Sequence, residues 1–148
     1  MRHTSPGAAA ASVDIEVRYA ETDQMGVVHH ANYLVWFELA RTRLCADAGM
    51  PYAEIEKRGY LLMVTGAELR YRSSAHYGER VRVTSRVARI GSRGVGFAYE
   101  VRRGDDLLAT GSTEHLWIDA ATRRPCSTPA DLRAAFSRLA QGPTEGLG

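Results

Sequence analysis

The sequence predicts an α+β domain in which a curled antiparallel sheet of about five strands wraps one long central helix. Three observations carry this. The chain opens on a segment of alternating apolar and polar residues, continues into one unbroken apolar segment of helical length, and ends in further alternating segments separated by glycine turns.

Val13, Ile15, Val17 and Tyr19 alternate with Asp14, Glu16 and Arg18, which is the period of a half-buried strand. From about Ala31 to Ala48 that period disappears. Tyr33, Leu34, Val35, Trp36, Phe37, Leu39 and Ala40 leave little polar face, so the helix is expected to be enclosed on most sides. Asn32 is the expected N-cap, Gly49 the residue just past the helix, and Pro51 a stop beyond it. Residues 51–59 read as a connection with some helical character. Leu61, Met63, Ala67, Leu69 and Tyr71 then share a strand face, and Val81, Val83 and Val87 share another. A third strand, Val95 to Val101, is reached through the Gly91–Gly94 turn, and Gly104-Asp105-Asp106 leads into a fourth, Leu107 to Ile118. A short amphipathic helix at about Pro129 to Leu139 closes a single domain spanning 12–140, with flexible tails at 1–11 and 141–148.

Composition excludes several classes. At 148 residues, 45% hydrophobic and 24% charged, the chain has the make-up of one soluble globular domain. A formal net charge of +2 is too small to indicate nucleic acid. The basic residues are nearly all arginine, Lys57 being the only lysine, and arginine suits bidentate contact with an anionic ligand. Cys45 and Cys126 have neither a metal-ligand spacing nor a disulfide framework. The first residues lack the apolar run of a signal peptide, and no segment approaches the roughly 18 apolar residues of a membrane span. A reduced, cytoplasmic protein is expected.

The chemistry concentrates in YAETDQMGVVHHANYLVWFELAR, from Tyr19 to Arg41. Asp23 stands on a glycine-containing loop seven positions before His30, and the loop runs directly into the helix. A carboxylate beside a helix N-terminus suits hydrolysis: free backbone N–H groups polarise a carbonyl while the carboxylate serves as base or nucleophile. Gly26 allows a positive φ or close approach of backbone to a ligand. By residue type alone, a turn or capping role for Asp23 is the commoner use of aspartate. His29 and His30 invite a metal reading, but adjacent residues of an extended segment point opposite ways and no third ligand follows at a recognisable spacing, so no metal is expected. Gly91, Gly94 and Gly96 imitate a phosphate loop, yet they join two strands with no helix after them. Glu38 and Arg41, three apart, are expected to pair within the helix. Arg70, Arg72, Arg80, Arg82, Arg86 and Arg89 form either a solvated face or a source of phosphate ligands.

The pattern Y-x-E-T-D-x-x-G-V-V-x-H-A-N-Y, followed by F-E-x-A-R at Phe37 to Arg41, together with the order of elements, resembles the hot-dog-fold acyl-CoA thioesterases. The resemblance is strongest to their 4-hydroxybenzoyl-CoA thioesterase and YbgC-like branch, and it runs from about Val13 to Pro125. It implies that an acyl-CoA thioester is hydrolysed to a free acid and CoA, with no cofactor. It places Asp23 as the catalytic carboxylate, His30 as the residue whose backbone N–H meets the thioester carbonyl, and Tyr19 as a further site residue. Gly26, Val27, Val28 and His29 fall along the substrate. Position 29 is His where that pattern carries Tyr or Trp, which changes the acyl pocket. The resemblance also implies a homodimer or homotetramer with sites at the subunit interface. Two alternatives keep the fold: a thioesterase acting on acyl carrier protein thioesters, and a non-catalytic acyl-CoA binding protein. The retained Asp23 argues against the second, because a pure binder gains nothing from a carboxylate beside an electrophilic ester.

Overall fold

A computed structural model describes residues 9–141. In chain order the elements are β1 (Ala10–Glu16), a 3-10 turn (Tyr19–Glu21), α1 (Ala31–Asp47), α2 (Tyr52–Lys57), β2 (Tyr60–Tyr71), β3 (Arg80–Ile90), β4 (Gly94–Arg103), β5 (Asp106–Asp119), β6 (Arg124–Pro125) and α3 (Ala130–Gln141). The five long strands form one antiparallel sheet in the order β1-β3-β4-β5-β2, and the two-residue β6 pairs with β5. This is the expected α+β architecture. Both turns between β3 and β5 are tight hairpins, with Gly91 N–H donating to the Gly94 carbonyl and Gly104 at φ 59°.

Four local expectations change. Ala10 and Ala11, expected in the N-terminal tail, are strand residues paired with Arg86 and Ser85; the rest of that tail lies outside the described residues. The strand ends at Glu16, and Tyr19 belongs to the 3-10 turn instead. His30, not Asn32, is the residue at the helix cap, because the Asn32 side chain donates to the Glu21 and His29 carbonyls at 3.0 and 3.3 Å. Glu38 and Arg41 form no ion pair: Glu38 is exposed, and the Arg41 guanidinium turns inward.

Helix α1 lies mainly over β1 and β3. Tyr33, Trp36, Phe37, Ala40, Leu44 and Cys45 form its buried face. The opposite face is not covered by the described residues: Leu34, Val35 and Leu39 are between 42% and 50% exposed. The helix is therefore apolar on both faces although its own sheet covers only one. Inside, Arg41 is 7% exposed and has no acidic partner among the described residues. Its Nε–H donates to the Tyr52 hydroxyl at 2.7 Å and Nη1 to the Tyr99 hydroxyl at 2.9 Å. Tyr99 shares a 2.6 Å hydrogen bond with Thr113, whose hydroxyl lies 2.8 Å from His115 Nε2. A buried polar chain thus ties α1 and α2 to the two central strands.

Candidate active site

The segment between the 3-10 turn and α1 is a small hairpin. Thr22 bridges Val28, Asp23 N–H donates to the Val27 carbonyl at 2.9 Å, and Gly26 N–H returns to the Asp23 carbonyl at 3.0 Å. Gly26 sits at φ 80° with open space where a Cβ would stand, so glycine is required there for conformation and not for room. One oxygen of Asp23, Oδ1, accepts from the Met25 N–H at 2.8 Å and from Val27 N–H at 3.4 Å. The other, Oδ2, has no partner among the described residues. The carboxylate is exposed, oriented by its own loop, and free at one oxygen.

The N-terminus of α1 supplies the complementary group. His29 N–H donates to the Glu21 carbonyl at 2.8 Å, and the His29 ring accepts from Ala31 N–H through Nδ1 at 3.3 Å. Asn32 and Tyr33 N–H groups go to the His29 and His30 carbonyls. The His30 N–H has no partner among the described residues, so it is the open donor at this helix end, where the dipole favours developing negative charge. The two imidazoles do not point opposite ways. They stack at 4.3 Å and 28°, because His30 already has helical φ and ψ (−56° and −32°) and breaks the extended alternation. Among the described residues no group of three or more His, Cys, Asp or Glu side chains is gathered as a metal site.

Tyr19 does not hydrogen-bond to Asp23. Its ring is 76% exposed and packs edge-on against Tyr77, with centroids 5.7 Å apart. Val27 and Val28 are held by the segment that follows β2: Val27 bridges His76, and Val28 N–H donates to the Ala75 carbonyl at 2.9 Å. His76 and Tyr77 therefore belong to the surroundings of the loop, although nothing in their sequence spacing announces it. Glu21 belongs to the Y-x-E-T-D run, but its contact is equally unannounced. Its carboxylate is 4% exposed and lies under the hairpin, bonded to Trp36 of α1.

Of the six arginines that the strand pattern turns outward, four are matched by acids. Arg80 meets Glu16 at 3.8 Å, Arg82 meets Asp14 at 2.9 Å, Arg70 meets Glu68 at 3.4 Å, and Arg89 pairs with Glu114. Arg72 and Arg86 have no ion-pair partner among the described residues. Arg86 stands in mid-sheet opposite Ala98, whereas Arg72 directly precedes the segment that holds the Asp23 hairpin.

Residues 17–136 match the family model of the thioesterase-like superfamily. YneP of Bacillus subtilis is 38% identical over 113 residues, covering 76% of this chain and 82% of that protein. The acyl-CoA thioesterase YbgC of Haemophilus influenzae is 26% identical over 129 residues, covering 86% and 95%. Among solved structures, the DHNA-CoA thioesterase of Staphylococcus aureus superposes with a TM-score of 0.82 at 36% identity, covering 88% of this chain and 91% of that one. With the sheet, helix and hairpin described above, these likenesses show that the chain belongs to the thioesterase-like superfamily and is a hot-dog-fold thioester hydrolase.

Proposed function

We propose that the protein hydrolyses acyl-CoA thioesters, with Asp23 as the catalytic carboxylate and the His30 N–H as the oxyanion donor. The observation that carries this reading is the pairing of two unspent groups across one short hairpin: Asp23 Oδ2 and the His30 N–H. Around them, the Asp23, Gly26 and His29 N–H groups are engaged in holding the loop. The carboxylate takes a proton from a water, whose oxygen attacks the thioester carbon. The carbonyl oxygen gains charge facing the His30 N–H, and one such donor contributes about 3–4 kcal/mol to the transition state. The C–S bond then breaks, and the proton held by Asp23 passes to the departing CoA sulfur. Direct attack by Asp23, giving an anhydride that water opens, uses the same two groups.

Gly26, Val27, Val28 and His29 line the path of the thioester in this reading, and Arg72 meets a CoA phosphate. The assembly is a homodimer or a pair of dimers with the sites at the subunit interface. Two features support it. Strand β2, twelve residues long, is the sheet's edge, and its outer backbone groups have no neighbouring strand among the described residues. The apolar residues on the outer face of α1 are also left open by the described residues, and covering them is worth about 25 cal/mol per Å².

Steady-state hydrolysis of a panel of short, medium, long and aromatic acyl-CoAs, followed by loss of thioester absorbance, tests the assignment. Asp23→Ala is expected to lower turnover by about 10²–10⁴ with the fold intact, because among the described residues the side chain bonds only to its own loop. Saturable binding of acyl-CoA without turnover would overturn the reading in favour of a binder or a carrier-protein substrate. Light scattering of the purified protein decides the assembly: a monomer at micromolar concentration rules out the interfacial site.

A further inference from the structure

Glu21 is the only acid of the hairpin region that is buried, and it is used at both ends. Its Oε1 accepts from Arg18 N–H at 2.8 Å. Its Oε2 accepts from the indole N–H of Trp36 at 3.0 Å and from Arg18 Nη2 at 3.3 Å. Its main-chain carbonyl accepts from His29 N–H at 2.8 Å and from Asn32 Nδ2 at 3.0 Å. One residue therefore clasps the chain before the 3-10 turn, the interior of α1, and His29 and Asn32 on either side of the His30–Ala31 helix start. Asp23 follows it by two positions.

We propose that Glu21 is a positioning residue of this thioesterase, whose bonds to Trp36, His29 and Asn32 fix the distance between the Asp23 carboxylate and the His30 N–H; this rests on the assignment of those two groups given above. The argument is geometric. The His30 donor is fixed by α1, whereas Asp23 stands at the exposed end of a hairpin whose returning side, at Val27 and Val28, is anchored on Ala75 and His76 of another segment. The Glu21 side chain links hairpin to helix through Trp36, which is fully buried in the face of α1 against the sheet. Burial alone pushes the Glu21 carboxyl up. The Arg18 N–H, the Trp36 indole and the Arg18 guanidinium outweigh that and hold it below its ordinary value of 4.5, so the clasp is charged throughout the neutral range. Loss of preorganisation of this kind is felt in turnover, since a shift of about 1 Å between reacting groups costs on the order of 10²-fold.

The test compares wild type with Glu21→Gln, Glu21→Asp, Trp36→Phe and Asp23→Asn, all as full-length protein on the acyl-CoA that wild type turns over fastest. Turnover is normalised to the folded fraction and measured well below each Tm. Glu21→Gln keeps one acceptor but opposes an amide to the remaining donors, and is expected to lower kcat by roughly 10–100-fold while KM changes less than about threefold. Trp36→Phe removes a single donor, and should lower kcat in the same direction by less. Glu21→Asp retains charge and should recover part of the Glu21→Gln loss. A merely structural residue would lower Tm and leave kcat per folded molecule unchanged; that result in Glu21→Gln, or in Trp36→Phe should the Gln variant not fold, overturns the proposal. Turnover that survives Asp23→Asn sinks the underlying assignment along with it. Loss in Asp23→Asn with wild-type kcat in the clasp variants sinks the clasp alone.

Discussion

The ring of Phe37 occupies the space directly over Gly111. Phe37 lies flat on Tyr99, with centroids 4.3 Å apart and planes within 4°, and a Cβ on Gly111 would stand 2.7 Å from Phe37 Cζ. It would also meet the Glu68 carbonyl oxygen of the neighbouring strand at 2.8 Å. The helix approaches the sheet closely because β5 has no side chain at this point. Gly111→Ala is therefore an overpacking change that neither a flexible side chain nor a loop can relieve. It is expected to cost about 1–3 kcal/mol, read as a fall in Tm of several degrees in thermal unfolding. An unchanged Tm would mean that the helix can lift from the sheet at no cost.

His115 makes the folded state sensitive to mild acid. The ring is buried on β5, and burial first, then the Arg41 charge, lower its pKa from 6.5 to about 4. The folded protein then binds fewer protons than the unfolded chain between those two values, so stability is complete above pH 6.5 and declines as pH falls toward 4. A shift of that size corresponds to at most about 3 kcal/mol. Denaturant unfolding of wild type and His115→Gln at several pH values checks it: the slope of stability against pH in this window should flatten in the variant. An unaltered slope would place the titration elsewhere.

The fold was legible in the sequence because strand alternation and glycine turns are local signals, and each strand face had one period. What escaped was tertiary. The continuous apolar run from Tyr33 to Ala40 is correctly a helix, yet Leu34, Val35 and Leu39 lie on an uncovered face; periodicity records that a face is apolar and not what covers it. Arg41 looked like the partner of Glu38 at helical spacing, but two phenols on α2 and β4 were the stronger pull. In the candidate site, Asp23, Gly26 and His30 could be read from the motif, since all depend on the local hairpin and helix end. Glu21 is the acid of the same motif, but its role could not be read there, because its partner Trp36 stands fifteen positions away and no spacing rule joins an acid in a turn to an indole in a helix. Asn32 has ideal capping chemistry and was drawn off the cap by the same Glu21 carbonyl.

The two cysteines should behave differently toward thiol reagents. Burial pushes the Cys45 thiol up to about 12 against the opposing pull of Arg41, so it carries almost no thiolate at neutral pH. Cys126 lies partly open beside β6. Native protein at pH 8 is expected to titrate with one thiol equivalent, and unfolded protein with two. Prompt reaction of both in the native state would mean that the core around Arg41 opens readily.

Substitution of Arg72 is expected to separate recognition of CoA from recognition of the thioester itself. Of the six outward arginines, Arg72 and Arg86 have no acidic partner among the described residues, and of these two Arg72 adjoins the segment that anchors Val27 and Val28. Surface ion pairs hold little energy, but each cancels most of the local field that would draw in a phosphate. A guanidinium–phosphate contact is worth about 1.5–3 kcal/mol, which is roughly 10–100-fold in KM. Arg72→Gln is accordingly expected to raise KM for the best acyl-CoA by that factor with kcat nearly unchanged. The matching acyl-pantetheine thioester has no phosphate, so its kinetics should be the same in wild type and variant. Equal effects on both substrates would place Arg72 in support of the hairpin, and no effect on either would leave the phosphates to another cation, with Arg86→Gln the next variant to measure.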